Sequence, residues 1–496
     1  MSFINKEALV KLHLPFRIFT ASYIALMFLP KVVRKGMFPD GLTYAAIARN
    51  LAIGKGSFWQ PYFSSSFWLS FNTGTVFYEH PPLMMGLQSL FFAGLGDYWF
   101  VEKIYCAVLL LLTLFLILSI WRLVTAPDTQ ALFFSWLPLL LFYAMPTIIW
   151  SYPNNMLDCT MAGFCLAAVY FSTKAIRIGK VPYLYLFLSS LCILGAFLSK
   201  GPIGLFPLAT PAIYYLVFQK PRLTKALIFQ SSLLFSLVLL FLLLLQYKPA
   251  NNFITHYFNQ QVVKALTGGR EDADLSWINH FRILSKLGYQ LMPLLILSVL
   301  TILVLRLKKI RFIFQTAYTK WFLYFLLIGL SASIPITISP KQSSFYLLPS
   351  LPYFALSLAL LAIPTFNYLL LNYRLSAATS VILNRLLILS LVGILVYSFA
   401  IRGKIRREKE VILDLQEISK IVPANTKIGV TKDRIKDFTT QTYFQRYHRL
   451  ELANDTTLNF FLVDSLHGDP LFRHPNYGRV NINTSRYVLY RKRSRE

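Results

Sequence analysis

The sequence predicts an all-α polytopic membrane domain of about eleven transmembrane helices, with a range of about 10–13, followed by a small C-terminal α/β extramembrane domain. Three observations predict it. The chain of 496 residues is 56% hydrophobic and only 14% charged, where soluble domains are about a quarter charged. Its apolar residues come in long blocks, such as 233–245, interrupted only by Ser236. From about residue 403 the composition turns charged, with short apolar runs between polar segments.

Crossing roughly 30 Å of hydrocarbon takes about 20 apolar residues. The blocks show no strand-like alternation, so helices must do the crossing. Hydropathy places spans at 14–30, 104–124, 132–150, 157–173, 182–198, 202–218, 226–246, 287–306, 319–338, 344–363 and 384–401. With the N-terminus cytoplasmic, Lys174, Arg177, Lys180, Lys220, Arg222, Lys225, Arg306, Lys308, Lys309, Arg311, Arg374 and Arg385 all gather on the inner side, as the positive-inside rule requires. Residues 31–103, 151–156, 247–286, 339–343 and the tail then lie outside. Lys31, Arg34, Lys35, Arg402, Lys404, Arg406 and Arg407 run against this pattern. The net charge of +28 is in good part this topology signal. The remainder suits anionic membrane lipids and phosphate-bearing substrates, and no nucleic-acid partner is expected.

Residues 1–402 form the predicted membrane domain. Its large first external loop, 31–103, carries two short apolar helices, 40–53 and 81–95, expected to lie along the interface. The predicted tail domain, 403–496, has a helix over 406–421 and strands near 427–430, 459–463 and 487–490. Cys106, Cys159, Cys165 and Cys192 show no CxxC spacing, and read as small core residues. The first apolar run lacks a convincing small-residue cleavage site and reads as a retained anchor.

Acidic groups near apolar segments are few, so each is informative. Asp40 precedes a helix in Phe38-Pro-Asp-Gly-Leu-Thr-Tyr44, where it could also act as a cap. Asp158 stands where the third span meets the fourth. Glu79-His80-Pro-Pro places an acid beside a base, a weak metal signal without further ligands. Ser199-Lys200-Gly-Pro and Ser339-Pro-Lys341-Gln-Ser-Ser-Phe-Tyr346 put lysines at span ends, where snorkelling alone would explain them. In the predicted topology all of these face one side, and they are expected to share one pocket there. No P-loop, dinucleotide fingerprint or nucleophile elbow is present, which disfavours nucleotide-driven chemistry.

Five pieces in this order resemble the integral-membrane glycosyltransferases of the GT-C fold, in the branch of protein O-mannosyltransferases and the aminoarabinose transferases that modify lipid A. They are Asp40-Gly-Leu-Thr-Tyr44-Ala-Ala-Ile-Ala-Arg49-Asn, Tyr78-Glu-His-Pro-Pro-Leu, Leu157-Asp158, Lys200-Gly-Pro and 341–352. The resemblance implies transfer of a sugar from a polyprenyl-phosphate donor to a lipid, glycan or protein acceptor at the external face, with inversion. It implies that Asp40 is the essential carboxylate and general base, and Asp158 the second catalytic acid. Lys200, Lys341 and Arg270 would bind the donor phosphate. Tyr44, Arg49, Glu79, His80 and Tyr346 would line the pocket.

The sequence departs from the family pattern at Gly41, where members often carry a second acid. The resemblance leaves a divalent metal open, with Glu79 and His256 as possible ligands and His280 in the same loop, but the sequence pairs neither histidine with Glu79 and no metal is claimed. No cofactor is assigned. The expected setting is a bacterial inner membrane with the site facing the periplasm. A transporter or lipid-linked-sugar flippase is the competing class, disfavoured by the lack of an internal repeat. Asn454-Asp-Thr and Asn483-Thr-Ser would be glycosylation acceptors only in a secretory context.

Overall fold

The computed structural model describes residues 6–65, 75–126, 128–178, 181–267, 277–307, 316–339, 342–373, 376–466 and 475–493. They divide into two compact units. One comprises Met1–Lys31, Ala107–Pro153 and Leu157–Ala400; the other comprises Val32–Cys106, Asn154–Met156 and Ile401–Glu496. The first external loop thus groups with the tail, not with the membrane helices to which the sequence reading joined it.

The first unit is a membrane bundle. Among the described residues, nine helices are long and apolar enough to span a bilayer: Leu9–Val32, Val101–Thr125, Leu157–Arg177, Pro182–Lys200, Leu223–Gln246, Arg282–Val304, Tyr318–Ile338, Leu351–Asn372 and Ala377–Ala400. The two remaining predicted spans are helical but broken. The segment expected at 132–150 becomes Thr129–Phe133, Trp136–Tyr143 and Pro146–Ser151. The segment expected at 202–218 becomes a 3-10 stretch, Pro202–Ala209, and an α-helix, Thr210–Phe218. Pro146 and Pro202 each stand at a break, because a proline removes an N–H and disfavours helical backbone in the residue before it. Met145, just before Pro146, is accordingly extended (φ −77°, ψ 129°).

Side-chain contacts give these segments their direction. Trp121 Nε1 donates to the Ala131 carbonyl at 3.1 Å, and Tyr152 OH pairs with Thr113 Oγ1 at 2.9 Å. The broken segment therefore runs back along Val101–Thr125. Leu157–Ile178 and Pro182–Lys200 pair as an antiparallel hairpin, which brings Asp158 and Lys200 to one end. At the other end Arg177 reaches the Leu123 carbonyl and lies 5.4 Å from the Trp321 ring.

The second unit is built around Pro39–Ala52, which is buried on all sides: Pro39 and every residue from Gly41 to Asn50 are buried. This corrects the expectation of an amphipathic helix lying on the membrane surface. The helix packs against Leu83–Leu95 and against the tail helix Phe438–His448. Thr43 and Thr442 share a hydroxyl contact at 3.1 Å, Tyr443 OH donates to the Met37 carbonyl at 2.8 Å, and Leu42 belongs to the core of the tail domain.

That domain carries a five-stranded sheet, ordered Glu451–Ala453, Lys427–Val430, Phe460–Asp464, Tyr487–Lys492, Tyr477–Arg479. The first two pairings are parallel and the last two antiparallel. The tail helix predicted over 406–421 spans Lys409–Ile418. The chain leaving the first span meets the chain leaving the last: Lys35 N donates to the Lys404 carbonyl and Arg406 N to the Lys35 carbonyl, both at 2.9 Å. The two basic clusters that break the charge rule are therefore one feature, and an even number of crossings separates them.

Candidate active site

In the membrane unit the candidate residues Asp158 and Lys200 form a buried ion pair. Asp158 is the second residue of its helix, where free backbone N–H groups and the helix dipole favour a negative charge. Lys200 ends the partner helix, where a positive charge is favoured. Lys200 Nζ lies 2.5 Å from Asp158 Oδ2. The aspartate is 0% exposed and the lysine 8%. Asp158 Oδ1 has no hydrogen-bond partner among the described residues.

Two aromatic rings cover the ammonium group, Tyr346 at 4.5 Å and Phe345 at 4.9 Å, and cation–π attraction strengthens where water is excluded. Gln342 anchors the segment that carries those rings. Its amide donates to the His280 carbonyl at 2.8 Å and accepts from Ile283 N at 2.6 Å. Tyr257 OH donates to the Lys200 carbonyl at 3.2 Å. Gly201 turns the chain there with φ +91°, and a Cβ at that position would fall 2.1 Å from the Tyr257 hydroxyl. His256 is exposed on the Lys248–Tyr257 helix.

In the second unit, Asp40 lies in the first turn of Pro39–Ala52 and Tyr44 one turn later. His80 packs edge-on against Tyr44, with ring centroids 6.0 Å apart, and Phe77 closes the same cluster at 6.4 Å from each. Glu79 precedes His80 and is half-buried. The helix start is clamped by Asn154 and Asn155. Phe38 N donates to Asn154 Oδ1 at 3.1 Å, Asn155 Nδ2 donates to the Gly41 carbonyl at 2.8 Å, and Gln88 Nε2 donates to Asn155 Oδ1 at 2.8 Å. Asn155 has φ +56°, a left-handed conformation that Asn tolerates better than most residues.

This clamp explains the departure at position 41. A Cβ there would lie 1.9 Å from the Asn154 carbonyl oxygen, so no acid could sit beside Asp40 in this backbone.

Arg49, expected to line a pocket, is 0% exposed and serves the fold. It donates to Asp97 at 3.2 Å and to the Gln445 carbonyl at 3.0 Å. Burial lowers its pKa to about 10, opposed by the nearby Asp97. Asp97 also receives Arg446 at 3.0 Å and Arg449 at 2.9 Å. Burial alone would raise its pKa, but the three guanidinium groups outweigh that and hold it below the usual carboxylate range. Arg446 reaches Glu102 at 2.6 Å.

Of the residues the sequence nominates, the structure places Asp158, Lys200 and Tyr346 together in the membrane unit, and Tyr44 beside His80 in the second unit. Sequence reasoning assigned no role to Asn154, Asn155, Asp97 or Gln342. The Asn-Asn pair after Pro153 was a readable turn signal; the other two gave none. Lys341 and Arg270 lie outside the described residues. Among the described residues no group of three or more His, Cys, Asp or Glu side chains could hold a metal ion.

No protein-family model and no curated protein matches the sequence. The fold does match solved structures. ArnT from Cupriavidus metallidurans bound to undecaprenyl phosphate is similar with a TM-score of 0.62 at 15% identity, over 95% of this chain and 97% of that one. Its apo form gives 0.62 at 16%, over 95% and 96%. The apo oligosaccharyltransferase of Archaeoglobus fulgidus gives 0.52 at 12%, over 94% of this chain and 70% of that one. The chain therefore has the GT-C fold.

Proposed function

We propose that this chain is an integral-membrane glycosyltransferase that moves a sugar from a polyprenyl-phosphate carrier to a hydroxyl acceptor, at the end of the bundle that bears Asp158 and Lys200. The buried Asp158–Lys200 pair under Tyr346 and Phe345 carries the reading. An ammonium group kept dry and fixed is suited to a phosphate that gains negative charge as its bond to sugar breaks. ArnT, which shares the fold, is solved with undecaprenyl phosphate bound.

Asp40 acts as general base on the acceptor hydroxyl, a role worth roughly 10²–10⁴-fold. The oxygen attacks the anomeric carbon, the lipid phosphate leaves, and the configuration inverts. Lys200 stabilises the leaving phosphate, with Lys341 and Arg270 as further donors. The positive-inside rule puts the end that carries Asp158 outside, which corresponds to the periplasmic face of a bacterial inner membrane. The acceptor is a lipid, a glycan or a protein hydroxyl.

The test is transfer of radiolabelled sugar from a purified polyprenyl-phosphate donor by the full chain in nanodiscs. Asp40→Asn should cut transfer by about 10²–10⁴-fold while leaving the yield of folded protein unchanged. Wild-type transfer by that variant would remove Asp40 as base. A wild-type chain that moves the carrier between leaflets without transferring sugar would make the protein a flippase.

A further inference from the structure

We propose that the membrane unit holds a second lipid site, distinct from the transfer site, in which an anionic diacyl phospholipid places its phosphate on Arg17 and Arg122 and an acyl chain in the apolar groove between them and Leu114. A cavity of about 920 Å³ lies along Lys6–Val32, Val101–Thr125 and the 132–139 stretch. Its wall is almost wholly aliphatic and aromatic, two arginines line it, and among the described residues no carboxylate does. Leu111, on its rim, is 66% exposed, so the groove opens sideways onto the face that hydrocarbon covers.

Arg17 lies within a spanning helix. A cation there is costly unless it is partnered. Its guanidinium rests 5.7 Å from the Phe133 ring, and its buried Nε has no hydrogen-bond partner among the described residues. A phosphate oxygen would satisfy that donor while acyl carbons fill the leucine-lined wall.

The choice of lipid follows from location. Arg122 is one residue before Leu123, whose carbonyl Arg177 contacts. This is the end of the bundle that carries the basic loops, hence the cytoplasmic leaflet, where anionic phospholipids concentrate near Lys and Arg. Asp158 and Arg177 stand at opposite ends of one helix, roughly 28 Å apart at 1.5 Å per residue. The carrier phosphate is assigned to the Asp158 end, so a bulk anionic lipid is the occupant here.

Native mass spectrometry of the full chain released from detergent reads lipid retention directly. Phosphatidylglycerol should be retained at least tenfold better than phosphatidylcholine. Arg17→Gln with Arg122→Gln should abolish that preference. Leu114→Trp, which fills the groove and leaves both arginines, should reduce retention of phosphatidylglycerol as well. Wild-type retention of phosphatidylglycerol by both variants overturns the proposal, as does loss of polyprenyl-phosphate retention in both variants, which would place the carrier itself in this groove. The readout needs no sugar transfer, so it stands or falls separately from the proposed activity.

Discussion

Gly41→Ala tests whether the Asn154–Asn155 clamp positions the candidate base. The added methyl would sit 1.9 Å from the Asn154 carbonyl oxygen, about 1 Å inside the 3.0 Å floor for real Cβ contacts. Either the helix start or the Asn154 backbone must therefore move by about 1 Å. Such a shift breaks or stretches the bonds from Asn155 to Gly41 and from Phe38 to Asn154, each worth about 1 kcal/mol. Overpacking adds about 1–3 kcal/mol. The expected cost is about 3–5 kcal/mol, a large part of the roughly 5–15 kcal/mol that holds a domain folded. Asp40 is the neighbouring residue, and a 1 Å misplacement can cost about 100-fold in rate. Unfolding followed by intrinsic fluorescence in detergent, together with the transfer assay, reads both effects. Gly41→Glu should be at least as damaging as Gly41→Ala. An alanine variant that unfolds at the wild-type temperature and transfers sugar at the wild-type rate would refute the clamp.

Other outcomes follow from the buried charges. Lys200→Met leaves Asp158, 0% exposed, without its counter-ion and should destabilise the bundle by about 3–5 kcal/mol. The double variant Asp158→Asn, Lys200→Met should recover much of that stability on thermal unfolding while remaining inactive; an active double variant would remove the pair from the reaction. Asp97 is held below its ordinary pKa by three arginines. Its stabilisation is therefore complete above about pH 3.9 and is lost as pH falls through the lower folded value. Acid unfolding profiles should show this loss in the wild type and a shallower slope in Asp97→Asn; identical slopes would disprove it.

The membrane part was legible because its signal is local. Hydrocarbon sets a length and a composition: nine of the eleven predicted stretches fall on helices long enough to cross, and the other two are broken helices. Strand Lys427–Val430 was readable for the same reason. The short edge strands Glu451–Ala453 and Tyr477–Arg479 were not, because three residues carry too little pattern and take their conformation from a neighbouring strand.

The sequence by itself determined how many apolar segments there are, which polar residues interrupt them, and that Asp40, Asp158 and Lys200 are candidates. Only the tertiary structure decided which charges meet: Lys200 with Asp158 across 42 positions, Arg446 with Glu102 across 344. It also decided that Gly41 faces the Asn154 backbone and that Arg49 serves packing and not the pocket. The physical reason is range. Transfer into lipid or a core is a property of each residue and its near neighbours, whereas the partner of a buried charge is set by the folding of segments far apart along the chain.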